Sequence, residues 1–292
     1  MNEISQNQNK VEFIDLLKAQ RIAYSKCKKY LICDLVSVFI AIILPLLGLI
    51  ENDLVRPLGA VGFIWTVIYL ITELYKKKLT TIAAKIQEEF DTELFNLHWN
   101  KMLCKNKINQ DTRHDLSIEY HKDDLKNWYS VEIDNTLPHN IAVILCQRTN
   151  FSWELSLRKR FTKFLLASVT LYYGAIIIVS ILLNTGIYDM LILLVPSLSF
   201  LIYAVKNIYS LINQIHTKQD TLENIDSYLE IYSKSKVEPN IELLRQIQDV
   251  IYIERSAPEK IPDWFYKIFK DSNEIKTDEL IKNFKTKLLC QS

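Results

Sequence analysis

The stretch FTKFLLASVTLYYGAIIIVSILL (161–183), followed by NTG (184–186) and IYDMLILLVPSLSFLIYAV (187–205), decides how this chain folds. Two apolar runs of 23 and 19 residues flank a three-residue joint, which has room only for a tight reversal. A helix rises about 1.5 Å per residue, so ~20 residues cross ~30 Å of hydrocarbon. The pattern occurs once before, in LICDLVSVFIAIILPLLGLI (31–50), the joint Glu51-Asn52-Asp53, and LVRPLGAVGFIWTVIYLITELY (54–75). The expected fold is all-α: an integral membrane protein with four transmembrane helices in two hairpins and a helical cytosolic domain. The expected segments are a cytosolic N-terminal helix (1–30), the first hairpin (31–75), a cytosolic helical segment (76–160), the second hairpin (161–205) and a second cytosolic helical segment (206–292).

Basic residues orient the spans. Lys26, Lys28 and Lys29 precede the first, Lys76, Lys77 and Lys78 follow the second, Arg158, Lys159 and Arg160 precede the third, and Lys206 follows the fourth. The joint regions hold only Arg56. Basic residues flanking a span stay on the cytoplasmic side, so both termini and 76–160 are expected there. The polar, Lys-bearing start is not followed by a small-residue cleavage site, which argues against a cleaved signal peptide. A net charge of +1 gives no reason to expect a nucleic-acid polymer as partner.

All five glycines, Gly48, Gly59, Gly62, Gly174 and Gly186, lie in the apolar runs or their joints. Phosphate-cradling loops need glycine so that backbone can approach the ligand closely, so a P-loop, a dinucleotide-binding turn and a kinase-like flap are excluded. The cysteines, Cys27, Cys33, Cys104, Cys146 and Cys290, form no C-x-x-C pair, and neither a disulfide framework nor a zinc site is expected. The five histidines fit no metalloprotease, hydrolase or deaminase pattern. Glu88-Glu89 and Asp123-Asp124 are sequence neighbours, whose side chains diverge by about 100° on a helix and make no acid pair. No catalytic residue, metal or cofactor is expected, and the chain reads as a non-enzyme.

Outside the spans the periodicity is helical. Ile82, Ile86, Phe90, Leu94 and Leu97 form one stripe, expected to continue out of the second span. Ile208, Ile215, Leu222 and Leu229 recur every seven residues, with Leu211, Ile225 and Tyr232 between them. Lys218 interrupts this stripe, which suits a coiled-coil-like contact within one chain or between subunits. Further helices are expected at 139–160, 240–255 and 277–289, with 104–137 least regular and an extended segment allowed over 128–133.

Two sets of residues carry candidate chemistry. Asp34 and Glu73 near the cytosolic span ends, with Asp189 at the outer side, could ring a pore mouth, or simply meet lysines such as Lys29 and Lys76 at the interface. Tyr172, Tyr173, Ser197 and Ser199 could line water or join helices. The second set mixes arginine, aromatic and amide groups: Cys146–Glu154 before the third span, Gln248 and Arg255 on a late helix, and Ile261-Pro262-Asp263-Trp264-Phe265-Tyr266 after it. Arginine grips phosphate through its planar fork and aromatic rings stack on bases. Arg148, Trp153, Arg158, Arg255, Trp264 and Tyr266 are therefore candidates for holding a small nucleotide. The competing reading is a helix-packing knot, with tryptophans as core and arginines paired to Glu88 or Asp91.

These segments resemble the SMODS-associating four-transmembrane effectors of bacterial antiphage systems. The matching stretches are Gln20-Arg21, Ile86–Asp91 with Trp99-Asn100, Cys146-Gln147-Arg148 with Asn150 and Trp153, Leu157-Arg158, and Ile261–Tyr266. Glu154 stands where the family usually has aspartate, and His98 where proline is common. The resemblance implies an effector encoded beside a nucleotidyltransferase. A cyclic di- or trinucleotide would bind the cytosolic region, and a homo-oligomer, for example a tetramer since two hairpins cannot enclose a wide channel, would open or disrupt the bacterial inner membrane and cause abortive infection. Two other functions fit the bare sequence: a small-solute channel or transporter, though charged groups at mid-span are lacking, and a membrane-anchored scaffold that offers the 208–232 stripe to a protein partner.

Overall fold

The computed structural model describes residues 2–30, 32–33, 36–37, 39–40, 43, 55–130, 132–182, 187, 198–257 and 261–290. Three helices dominate: α3 (Val55–Leu94), α6 (His139–Leu182) and α7 (Leu198–Ser235). Around them lie α1 (Ile4–Asn7), α2 (Val11–Lys29), α4 (Lys101–Cys104), α5 (Gln110–Ile118), α8 (Ile241–Ser256) and α9 (Asp263–Cys290). All described secondary structure is helical, as the sequence periodicity requires.

Two of the long helices, α3 and α6, each join two environments without a break. In α3, Ile64, Leu70 and Leu74 are exposed, whereas Thr80, Ala83, Ala84, Ile86 and Phe90 are fully buried. In α6 the order is reversed: Ile141, Ile144, Leu145 and Phe151 are buried, and Leu171, Ile178 and Leu182 lie open. The helix expected over 79–100 does continue out of the second span but ends at Leu94, leaving Leu97 beyond it, and 139–160 runs into the third as continuous helix. The edges of the hairpins expected from sequence fall inside these helices. Among the described residues, one helix, over His139–Val179, is long and apolar enough to cross a membrane. Of the expected first span, 31–50, residues 32–33, 36–37, 39–40 and 43 are described; both joints and 188–197 of the fourth span lie outside the described residues.

The buried halves meet in one body. α2 packs along α3 and α5, α8 lies across α3 and α6, and α9 lies on α6 and α7. Phe13 meets Phe90 edge-on at 5.8 Å, and Tyr129 stacks on the other side of Phe90 at 6.3 Å. The heptad stripe of α7 is consumed inside the chain: Leu211, Ile225, Leu229 and Tyr232 are core.

Helix ends are set by polar side chains. Asn100, Asn109 and Asn240 cap α4, α5 and α8 by accepting from the backbone N–H of Leu103, Thr112 and Leu243. Without glycine in this part, the left-handed turn positions fall to Asn96, Lys105, Asn127 and Lys236.

Three expectations need correction. No strand occurs over the described part of 128–133; the backbone of Tyr129 is satisfied by the Gln8 amide, which accepts from its N–H at 2.8 Å and donates to its carbonyl at 3.2 Å. The irregular stretch contains a helix, α5, whose sparse apolar content gave no stripe. The last helix is far longer than 277–289: it starts at Asp263, directly after Pro262.

Candidate functional site

Glu88 and Asp91 are three residues apart on α3 and therefore share a face, which α8 covers. Both are fully buried. The face of α8 that meets them repeats Leu244, Gln248, Ile251 and Arg255, apolar and polar groups on one stripe. Arg245 donates to Glu88 Oε1 at 2.6 Å, to Asp249 Oδ1 at 2.8 Å and to the His98 carbonyl at 3.0 Å. Gln248 Nε2 bridges the carboxylates, 2.9 Å from Glu88 Oε2 and 3.0 Å from Asp91 Oδ2. Arg255 pairs with Asp91. The hydroxyl of Tyr129 donates to Asp91 Oδ1 at 2.7 Å and accepts from Asn150 at 3.2 Å. Gln147 ties α6 to this set through Gln248 Oε1 at 3.2 Å and the Leu244 carbonyl at 2.8 Å.

Burial dominates the electrostatics. It pushes the Glu88 carboxyl up to about 7, against the opposing pull of Arg245. It raises the Tyr129 phenol well above its ordinary value, with the Asp91 charge adding to the effect. For Arg255, burial works against the charged form, but Asp91, Tyr129 and Tyr24 outweigh it and hold the guanidinium firmly protonated. Two guanidiniums thus face three carboxylates, Glu88, Asp91 and Asp249, and the assembly has no surplus positive charge.

Beside this network lies a narrow cleft with room for little more than one water molecule, lined by Asn150, Phe151 and Glu154 of α6, Lys218 of α7, and Ile251, Glu254 and Arg255 of α8. Lys218 is the residue that breaks the apolar stripe of α7. It is 3% exposed, bridges Glu154 at 3.0 Å and Glu254 at 3.3 Å, and lies 5.3 Å from the centre of the Phe151 ring. One buried ammonium therefore links all three helices of the cleft.

The five described nucleotide-binding candidates do not converge. Arg255 lines the cleft but is turned to Asp91. Arg148 grips Asp226 in a two-pronged pair at 2.6 and 3.1 Å, over the Phe284 ring. Arg158 is buried between Glu154, at 3.0 Å, and Gln214. Trp264 and Tyr266 belong to a separate aromatic cluster with Phe161 and Phe265. The Trp153 side chain lies outside the described residues. The pairing of Arg255 with Asp91 is the packing knot that competed with the ligand reading. Arg245, Tyr129 and Lys218 were not among the candidates; only Lys218 left a signal, as a charge inside a heptad seam.

Of the pore candidates, Asp34 and Ser197 lie outside the described residues. Glu73 pairs with Lys76 and lies 3.6 Å from Lys206, joining α3 to α7. Tyr172 packs with Tyr173 and Val169 against Ala204 of α7. Among the described residues no group of three His, Cys, Asp or Glu could hold a metal ion.

A family model described as the SMODS-associating 4TM effector domain matches residues 2–284. The chain belongs to this family. As a SMODS-associating 4TM effector it is a membrane protein, and the exposed apolar halves of α3 and α6 have the surface that lipid requires. It is also 30% identical over 285 residues to a probable CBASS effector molecule of Bacillus cereus (strain VD146), covering 93% of this chain and 94% of the relative. No solved structure matches it.

Proposed function

We propose that this SMODS-associating 4TM effector acts in CBASS antiphage signalling; its Bacillus cereus relative is described as a probable CBASS effector molecule. A cyclic di- or trinucleotide binds the polar body, which faces the cytoplasm together with both termini. Four spans in two hairpins then rearrange in the inner membrane, a homo-oligomer opens or disrupts the bilayer, and the infected cell dies.

One observation carries the reading: two helices, α3 and α6, run unbroken from exposed apolar halves into a single buried polar network. α6 has 44 residues, so at about 1.5 Å per residue it extends some 66 Å. A ligand that tilts its buried end moves its apolar end as well. The cleft has room for little more than one water molecule, far less than the ~300–1,000 Å³ usual for small-molecule sites. Ligand entry therefore requires α7 and α8 to part, which breaks the bridges of Lys218. To move the population from mostly closed to mostly open, the ligand must favour the open form by about 5 kcal/mol. The heptad stripe that a scaffold would offer to a partner is occupied by the chain's own core, and nothing in the apolar halves singles out a transported solute.

The test is dye release from liposomes that carry the purified protein, with a panel of cyclic di- and trinucleotides added outside and inside. Release with one member of the panel and none without it is the expected outcome. Silence across the whole panel would remove the reading.

A further inference from the structure

α9 opens at Asp263, and its first turns meet α6 where the apolar run of that helix begins. Trp264 packs edge-on against Phe164 with ring centres 5.6 Å apart, Phe265 sits between Phe161 and Phe164 at 5.1 and 5.7 Å, and Arg160 lies 4.4 Å above the Phe269 ring. Further along, Phe284 lies under Arg148 at 4.5 Å and Lys285 reaches Asp134 at 2.6 Å. As the α9 residue number rises, the α6 partner number falls, so α9 runs antiparallel along α6. Its first turn is level with Phe164, about one helical turn beyond Arg160. Its far end is clasped into the body, where Ile281 and Leu288 are buried and Lys236 donates to the Leu288 carbonyl at 2.9 Å.

The outer face of this first stretch is unlike the rest of the body. Trp264 and Ile268, one turn apart, are 47% and 64% exposed, while Phe265 between them is 5% exposed. Phe164 and Leu166 continue the apolar surface on α6, and Lys159, Lys163 and Lys267 are exposed around it. An open Trp–Ile–Phe surface in water is unfavourable, yet it stands where a charged helix half gives way to an apolar one. The headgroup layer suits each component: an indole places its ring among acyl chains with its N–H toward ester oxygens, and lysine stems lie along the apolar surface with their ammoniums at lipid phosphate.

We propose that the Trp264–Ile268 ridge of α9, with Phe164 and the lysines around it, docks into the phospholipid headgroup layer on the body's side of the membrane. α9 then straps the body to the membrane surface, its first turns in the headgroups and its last turns in the core. The assignment rests on the membrane placement of α6 proposed above, and its test separates the two.

Nitroxide labels are placed by Ile268→Cys, Ile178→Cys and Val237→Cys on full-length protein in a C33S/C290S background, reconstituted into vesicles of phosphatidylcholine and phosphatidylglycerol. Collisions with oxygen, which concentrates in lipid, are compared with those of a water-soluble nickel chelate. The expected order is oxygen-dominated at 178, nickel-dominated at 237, and nickel collisions several-fold lower at 268 than at 237 with oxygen collisions raised. A label at 268 as open to nickel as that at 237, with 178 in lipid, overturns the docking surface alone. Nickel access at both 178 and 268 overturns the membrane placement and the docking with it. A label at 268 shielded from both reagents and broadened by a nearby spin replaces the lipid with a second copy of the chain.

Discussion

The two halves of α3 invert each other. Val61, Ile64, Val67, Ile68, Leu70, Ile71 and Leu74 lie open, whereas Lys76, Thr80, Gln87, Glu88, Glu89 and Asp91 are buried. Apolar groups leave water, and charges stay in it unless paired. The contrast fits the proposed change of solvent midway along the helix, with the apolar half in lipid, where the helix satisfies its own backbone. In the polar half α2, α5 and α8 supply the partners: Cys27 to Thr80, Arg113 to Glu89, and Arg245, Gln248 and Arg255 to Glu88 and Asp91.

The strongest way to break the polar half is to leave one of those charges alone. Asp91→Asn removes the partner of Arg255, and a buried pair broken from one side costs ~3–5 kcal/mol. Thermal unfolding in detergent should show the largest destabilisation of any single substitution named here, and Asp91→Leu combined with Arg255→Met should recover most of it. If the single variant unfolds like wild type, the network does not hold the body.

Next comes Lys218. Lys218→Met leaves Glu254 buried without its ammonium and should cost ~1.5–3 kcal/mol. Glu254→Gln added to it should restore stability, because methionine suits the seam that lysine interrupts. Equal losses in the single and double variants would contradict a role for Lys218 as the bridge.

Glu88 sharpens the comparison through pH. Its folded value is raised from 4.5 to about 7, so the folded chain binds a proton more tightly than the unfolded one between those values. The associated stability is present at low pH and lost as pH rises through about 7. Wild type should therefore gain stability relative to Glu88→Gln as pH falls from about 8 to 5, read as the difference in their melting temperatures. Parallel pH profiles would show that Glu88 does not titrate in this range.

The smallest effect tests the turn chemistry. Asn96 is exposed at φ 55°, a conformation glycine adopts without penalty. Asn96→Gly should stabilise the body by up to about 1 kcal/mol, and a loss of stability would mean that the asparagine side chain matters there.

Periodicity made most of this fold legible. The stripes of Ile82–Leu94 and of 211–232, and the span-to-body continuity of α3 and α6, follow from spacing alone. α5 was invisible because a nine-residue helix that buries only Leu116 and Ser117 has no stripe to read. The start of α9 was hidden because Ile261–Tyr266 stood out as a cluster and drew attention from its place as a first turn behind Pro262. At the site, Glu88, Asp91, Gln147, Gln248 and Arg255 stood out by type. Their pairing did not, since Asp91 finds Tyr129 38 residues away and Arg255 164 residues away. Local spacing carries no information about such partners, and an arginine free to meet phosphate looks in sequence like one committed to a buried carboxylate.

The account stands on the exposed apolar halves being in lipid. Cysteines at Leu171 and Ile177 of α6, and at Val237 of the body, reacted with a membrane-impermeant maleimide in sealed proteoliposomes, test this most directly. Val237→Cys should label readily on the exposed body and Leu171→Cys and Ile177→Cys should resist until the bilayer is dissolved and the chain unfolded. If positions 171 and 177 label as fast as 237 in intact vesicles, α6 does not enter the membrane and the account fails.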